Sequence, residues 1–177
     1  NNGVKMPQFG LGVWQTENGD QVINAVKSAV AAGYRAIDTA AAYENEAGVG
    51  QGIKECGIAR EELFITSKLW NSDQGYDNAL RAFDKTMDLL GLDVLDLYLI
   101  HWPCPDHDKY VETWKAFEKL YKDGRVRAIG LSNFMQEHVQ KLLDTCEIKP
   151  MVDQIECHPF LTQTQMQKFL FENQIAM

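Results

Sequence analysis

The sequence predicts an α/β fold, a (β/α)8 TIM barrel, and three observations predict it. Six apolar β-type runs alternate with amphipathic helical patterns, at roughly 30 residues per unit, the spacing of a barrel's repeat. The runs are apolar on both faces, as the strands of a buried parallel sheet are. No glycine-rich phosphate loop follows the first run, where a doubly wound nucleotide-binding sheet would carry one; "GLGVWQ" lies inside the run itself.

In chain order, "GVKMPQFG" reads as a short hairpin or cap ahead of the first strand, which is expected over Phe9 to Gln15. Val22, Val26, Ala29 and Val30 share one helical face before Gly33, the usual helix stop. "YRAIDTA" is the second strand, and "GVGQG" at Gly48 to Gly52 lies in a helix-like segment where close packing explains the glycines. "LFITSKLW" follows, then a stripe of Leu80, Phe83, Met87 and Leu90 before Gly91. "LDLYLIHW" precedes a stripe of Trp114, Phe117 and Tyr121 that stops at Gly124. "VRAIGLSNF" precedes Val139, Leu142 and Leu143 before Cys146, and "MVDQIECHP" is the sixth strand. "NQIAM" reads as the start of strand seven. One incomplete barrel domain is expected over residues 1–177.

Composition narrows the function. The 177 residues are 45% hydrophobic and 24% charged, enough for one core. A net charge of -8 argues against nucleic acid or an anionic membrane surface as partner. Cys56, Cys104, Cys146 and Cys157 form no CxxC pair, which fits free thiols in a reducing compartment. With no signal peptide and no membrane-length apolar run, the expected location is cytoplasmic.

The polar residues recur with the strands. Asp38, Lys68, His101, then Ser132 and Asn133 fall at the C-terminal ends of successive runs, 30 (38 to 68), 33 (68 to 101) and 32 (101 to 133) residues apart, and Gln154 lies on the sixth. In a barrel that rim collects catalytic groups. Tyr43 comes just after strand two. A phenol, of reference pKa about 10, becomes a usable acid when a lysine favours the phenolate and an aspartate fixes the lysine. His101 could hydrogen-bond a carbonyl oxygen or relay a proton. The set suits protonation of a carbonyl oxygen as hydride reaches its carbon, and hydride requires a cofactor. Ser132, Asn133 and Gln154 are groups able to hold a carboxamide. "HWPCPDH" invites a zinc reading on His101, Cys104 and His107, but it lacks a fourth ligand at good spacing, and no metal is expected. His138 is expected on a helix surface, and Cys157 and His158 as structural residues ending strand six.

These stretches also resemble a known family. "GYRAIDTAAAYENEAGVG" and "AFEKLYKDGRVRAIGLSNF" resemble the two signatures of the aldo-keto reductases, and "ITSKLW" and "DLYLIHWP" are similar to the family's lysine and histidine segments. "NNGVKMPQFGLGVWQ" is most similar to the microbial and protozoan branch that contains diketogluconate reductases and prostaglandin F synthases. The resemblance implies a tetrad of Asp38, Tyr43, Lys68 and His101, with Tyr43 the general acid, Lys68 and Asp38 tuning it, and His101 orienting the carbonyl. It implies NADPH as cofactor, its carboxamide held by Ser132, Asn133 and Gln154 with Asp38 beside it. Trp14, Trp70 and Trp102 would join Tyr43 and His101 in the substrate pocket. The implied reaction is reduction of an aldehyde or ketone to an alcohol by a monomer. The alternatives are a non-catalytic nicotinamide-binding barrel, or an inactive fragment that needs its C-terminal part. The family's strand-seven tyrosine and its basic cluster for the 2′-phosphate have no counterpart in this stretch, so the chain is expected to be part of a longer protein.

Overall fold

The computed structural model describes residues 1–177. Six strands form one parallel sheet in strict chain order: β1 (Gly10–Gly12), β2 (Ala36–Asp38), β3 (Phe64–Leu69), β4 (Leu95–Ile100), β5 (Val126–Ser132) and β6 (Asp153–Gln154). Each is followed by a helix: α1 (Asp20–Ala31), α2 (Glu46–Glu55), α3 (Tyr76–Leu90), α4 (Tyr110–Lys122), α5 (Gln136–Leu143) and α6 (Thr164–Glu172). Sequential neighbours throughout, with no reversal of strand order, is barrel winding; a doubly wound sheet needs a switch point. Ala176 bridges Val152 in parallel, so the expected seventh strand has its first contact.

Register decides which side chains meet. Neighbouring residues in a ladder share a face, and the faces alternate along each strand. Lys68 pairs with Leu99, and Ser132 with Gln154. Asp38, Lys68, Ser132 and Gln154 therefore project to the barrel's inner face, and His101 continues the inner face of β4. The outer face carries Ile65, Tyr98, Ile129 and Leu131, all with no exposed surface, beneath the helices. There Tyr98 meets Phe83 of α3 edge-on and stacks on Phe117 of α4 at 4.7 Å. The helix stripes bury Val22, Val26 and Val30, then Phe83, Met87 and Leu90, then Trp114 and Phe117, then Val139 and Leu142. Ala29, Leu80, Tyr121 and Leu143 flank them, half-buried.

The close-packing reading of "GVGQG" has a direct measure. A Cβ on Gly48 would lie 2.3 Å from Val22 Cγ1 of α1, and one on Gly50 would lie 2.4 Å from the Leu90 carbonyl oxygen of α3. The glycines let α2 sit between its two neighbours.

Three expectations need correction. No hairpin forms before Gly10. Instead the Asn1 side chain donates to the Pro150 and Gln174 carbonyls, and Asn2 to that of Arg127, so the tail is pinned by its amides to the barrel's N-terminal rim. A lone two-stranded hairpin is marginal in water, and Pro7 has no N–H to give one. The first strand is shorter than Phe9 to Gln15, because the chain turns after Val13 and Gln15 adopts φ 62°. The sixth regular strand is only Asp153–Gln154, although backbone bonds from Met151 N to Ile129 O and from Asn133 N to Gln154 O extend the ladder.

Candidate active site

The strand ends converge at one rim. Past Asp38, a single 3-10 turn over Ala41–Tyr43 folds the chain back, and the left-handed Glu44 (φ 56°) ends it. This returns the Tyr43 ring to the barrel mouth. Lys68 is 1% exposed, and its ammonium has three oxygen acceptors: the Asp38 carboxylate, the Thr39 carbonyl at 3.0 Å and the Tyr43 hydroxyl at 3.4 Å. A buried ammonium is tolerable only with such partners. His101 follows β4, its amide bonded to the Leu69 carbonyl. Its ring meets Tyr43 edge-on at 5.7 Å and Trp70 at 5.3 Å. Burial, then the Lys68 charge, press its pKa down from 6.5 to about 4, against the opposing pull of Asp38. The imidazole is neutral at physiological pH. Nδ1 is buried without a partner. A bare ring nitrogen is cheaper to bury unpaired than an orphaned N–H, so the proton belongs on Nε2.

The second group completes the ring. Gln154 Nε2 donates to Asp38 Oδ2 at 2.9 Å, so Asp38 binds Lys68 through one oxygen and Gln154 through the other. Ser132 Oγ donates to the Gln154 carbonyl at 3.1 Å and accepts from Asn133 Nδ2 at 3.1 Å. Asn133 Nδ2 also reaches the His101 carbonyl at 3.0 Å, and its φ of 62° is one that asparagine tolerates. These bonds engage the donors and leave Asn133 Oδ1 and Gln154 Oε1 without protein partners. Two free acceptors on a fixed rim match the two N–H bonds of a carboxamide, so the residues present fit nicotinamide.

Trp14, Trp70 and Trp102 are 68%, 37% and 45% exposed, unusual for so large an apolar side chain, and they gather on one side of the mouth. With Tyr43 and His101 they line a cleft of about 620 Å³. The Trp102 backbone is held by Gln74 Nε2, which donates to its carbonyl at 2.8 Å. On the Trp14 side, buried Asn45 and Thr39 hold the loop. Gln74, Asn45 and Thr39 carry no signal in the sequence beyond being polar residues near strand ends.

The remaining candidates stay apart from this site. No group of three or more His, Cys, Asp or Glu side chains is arranged to hold a metal ion. His138 is half-buried against Tyr110 and Phe134 and accepts from the Met135 amide. Cys157 and His158 are exposed, with His158 beside Glu156. No helix is long and apolar enough to cross a membrane.

Known proteins share this fold and family. A sequence profile described as the aldo/keto reductase family matches residues 8–177. Glyoxal reductase of Bacillus subtilis (strain 168) is 64% identical over 151 residues, which cover 85% of this chain and 54% of that protein. The 9,11-endoperoxide prostaglandin H2 reductase of Trypanosoma cruzi (strain CL Brener) is 57% identical over 151 residues, 85% of this chain and 53% of the other. A crystal structure of a Gox0644 mutant in complex with NADPH superposes with a TM-score of 0.90 at 48% identity, covering 96% of this chain and 61% of that one. The chain spans about half the length of the curated relatives it matches.

Proposed function

The chain belongs to the aldo/keto reductase family, and from that premise we propose that the protein reduces aldehydes or ketones to alcohols with NADPH, Tyr43 acting as general acid. The observation that carries the reading is Lys68, whose buried ammonium bonds the Asp38 carboxylate and the Tyr43 hydroxyl together at the mouth of an aromatic cleft. Nicotinamide supplies a hydride when bound, and Asn133 Oδ1 and Gln154 Oε1 are the acceptors that would hold its carboxamide. A solved relative's complex with NADPH supports that cofactor over NADH.

The chain's own groups manage the oxygen. The neutral His101 donates from Nε2 to the substrate carbonyl and orients it. As hydride bonds to the carbon, the C=O π pair moves to oxygen, which takes the Tyr43 proton. The phenolate left behind faces the Lys68 ammonium, which Asp38 keeps in place. Tyr43 then regains a proton from solvent. The three tryptophans exclude water from the carbonyl and favour apolar substituents. The relative named glyoxal reductase makes a small dicarbonyl the first substrate to try.

The deciding test is Tyr43→Phe. It should lower turnover roughly 10²–10⁴-fold, the worth of a positioned general acid, while an NADPH fluorescence titration stays unchanged. Full turnover by the variant would refute the reading.

A further inference from the structure

We propose that Asn45 is a positioning residue that sets the Trp14 wall of the cleft against Tyr43 and so tunes which carbonyl compounds the site accepts; this rests on the reductase reading above. Asn45 immediately precedes α2, where an asparagine ordinarily caps its own helix. It does not: its side chain makes no capping bond. The amide is fully buried and turned the other way. Nδ2 donates to the Val13 and Thr16 carbonyls, both at 2.9 Å, and Oδ1 accepts from Thr39 Oγ1 at 2.8 Å.

The two carbonyls bracket Trp14. That indole is 68% exposed and so gains little anchorage from packing. Its turn is closed by one backbone bond, from Thr16 N to Val13 O at 3.2 Å, across the left-handed Gln15. The backbone ties the turn to the rim at its first residue only, Val13 N to Asp38 O at 3.1 Å, and the Asn45 amide fastens both of its ends. On the other side, the Thr39 carbonyl accepts from Lys68 Nζ at 3.0 Å. Tyr43 lies two residues from Asn45, across the left-handed Glu44. One uncharged side chain thus ties the substrate wall, the lysine's anchor and the tyrosine's turn into one unit.

Loosening that unit should matter most to a substrate large enough to press on Trp14. A general loss of folded protein would reduce every activity alike. The experiment compares kcat/KM for an aromatic aldehyde and for glyoxal, with NADPH, in the full chain and in Asn45→Ala, Thr39→Val and Thr39→Ser. Asn45→Ala and Thr39→Val should lose roughly ten-fold on the aromatic aldehyde, mainly through KM, and less than about three-fold on glyoxal, since a misplaced wall costs in proportion to contact. Thr39→Ser keeps the hydroxyl and should keep the wild-type ratio. If Asn45→Ala does not fold, the Thr39 pair decides.

Fluorine NMR of fluorotryptophan-labelled protein reads the wall without turnover. The Trp14 resonance, assigned with Trp14→Phe, should shift or broaden in Asn45→Ala and Thr39→Val but not in Thr39→Ser. Equal losses on both substrates, or an unmoved Trp14 resonance, would overturn the proposal. If the wild type reduces neither substrate, the reductase reading fails on its own, and the fluorine spectra still decide whether Asn45 holds the wall.

Discussion

His101 carries its proton balance in its surroundings: buried, edge-on to Tyr43 and Trp70, and within reach of the Lys68 charge. Its pKa lies at about 4, below the ordinary 6.5. An NMR pH titration should therefore show its ring resonances moving near 4, with no step near 6.5. The sign for stability follows. The unfolded chain takes up this proton as pH falls through 6.5 and the folded protein does not, so the group's contribution is present above 6.5 and lost toward about 4. Lys68 is the other residue with a sharp consequence. Lys68→Met removes the donor to the Tyr43 hydroxyl and should lower kcat roughly 10²-fold or more, as loss of one preorganised donor does. Steady-state kinetics with NADPH held saturating separates that loss from one in cofactor binding.

At the scale of elements, α2 is the tightest fit. A methyl on Gly50 would meet backbone of Leu90, which has no rotamer to yield. Gly50→Ala should force α2 off α3 and cost about 1–3 kcal/mol, despite alanine's better helix propensity. Gly12→Ala is the contrast, since a Cβ there meets nothing within 4 Å. Urea unfolding midpoints of the two variants test the difference, and equal midpoints would show that α2 has room to adjust.

The whole molecule separates its two rims. At the N-terminal rim the buried Asp96 accepts from Arg60 Nη2 at 2.5 Å, from Arg127 Nη1 at 2.6 Å and from the Ile65 amide at 2.8 Å. It staples three strand starts together and touches no part of the cleft. Asp96→Ala leaves the buried Ile65 amide without its acceptor and the Arg60 guanidinium with only the Leu63 and Val94 carbonyls, and should cost about 3 kcal/mol in urea unfolding, with kcat/KM of the folded protein unchanged. A fall in kcat/KM would mean that the rims are coupled. Asp153 acts on the same global balance from the sheet's outer face. It has no exposed surface, neither oxygen has a well-formed hydrogen bond, and burial raises its pKa from 3.8 to about 7, with the Phe134 amide offsetting little. The folded state holds this proton more tightly than the unfolded chain. Stability should be greatest below 3.8 for this group and should fall as pH rises through about 7. Asp153→Asn should abolish that fall. Unfolding at about pH 5 and about pH 8 measures it, and parallel wild-type and variant curves would contradict it.

The sequence by itself determined the barrel order, the stripes of α1, α3, α4 and α5, and the rim on which Asp38, Lys68, His101, Ser132 and Gln154 meet. Apolar periodicity and the strand-to-strand interval are local quantities, and they are written in neighbouring residues. It did not reveal a stripe for α6, where only Met166 and Leu170 are buried. It also overstated β1 and β6, because apolar runs continue past the point where the ladder turns away. Tertiary structure alone decided that Asn1 and Asn2 close the lower rim, that Asn45 leaves its own helix to hold the Trp14 turn, and that Gln154 reaches Asp38. The last pair stands 116 residues apart. A polar residue near a strand end looks the same in sequence whether it caps, clamps or catalyses. Its role depends on which distant atoms the register brings within about 3 Å, the reach of a hydrogen bond.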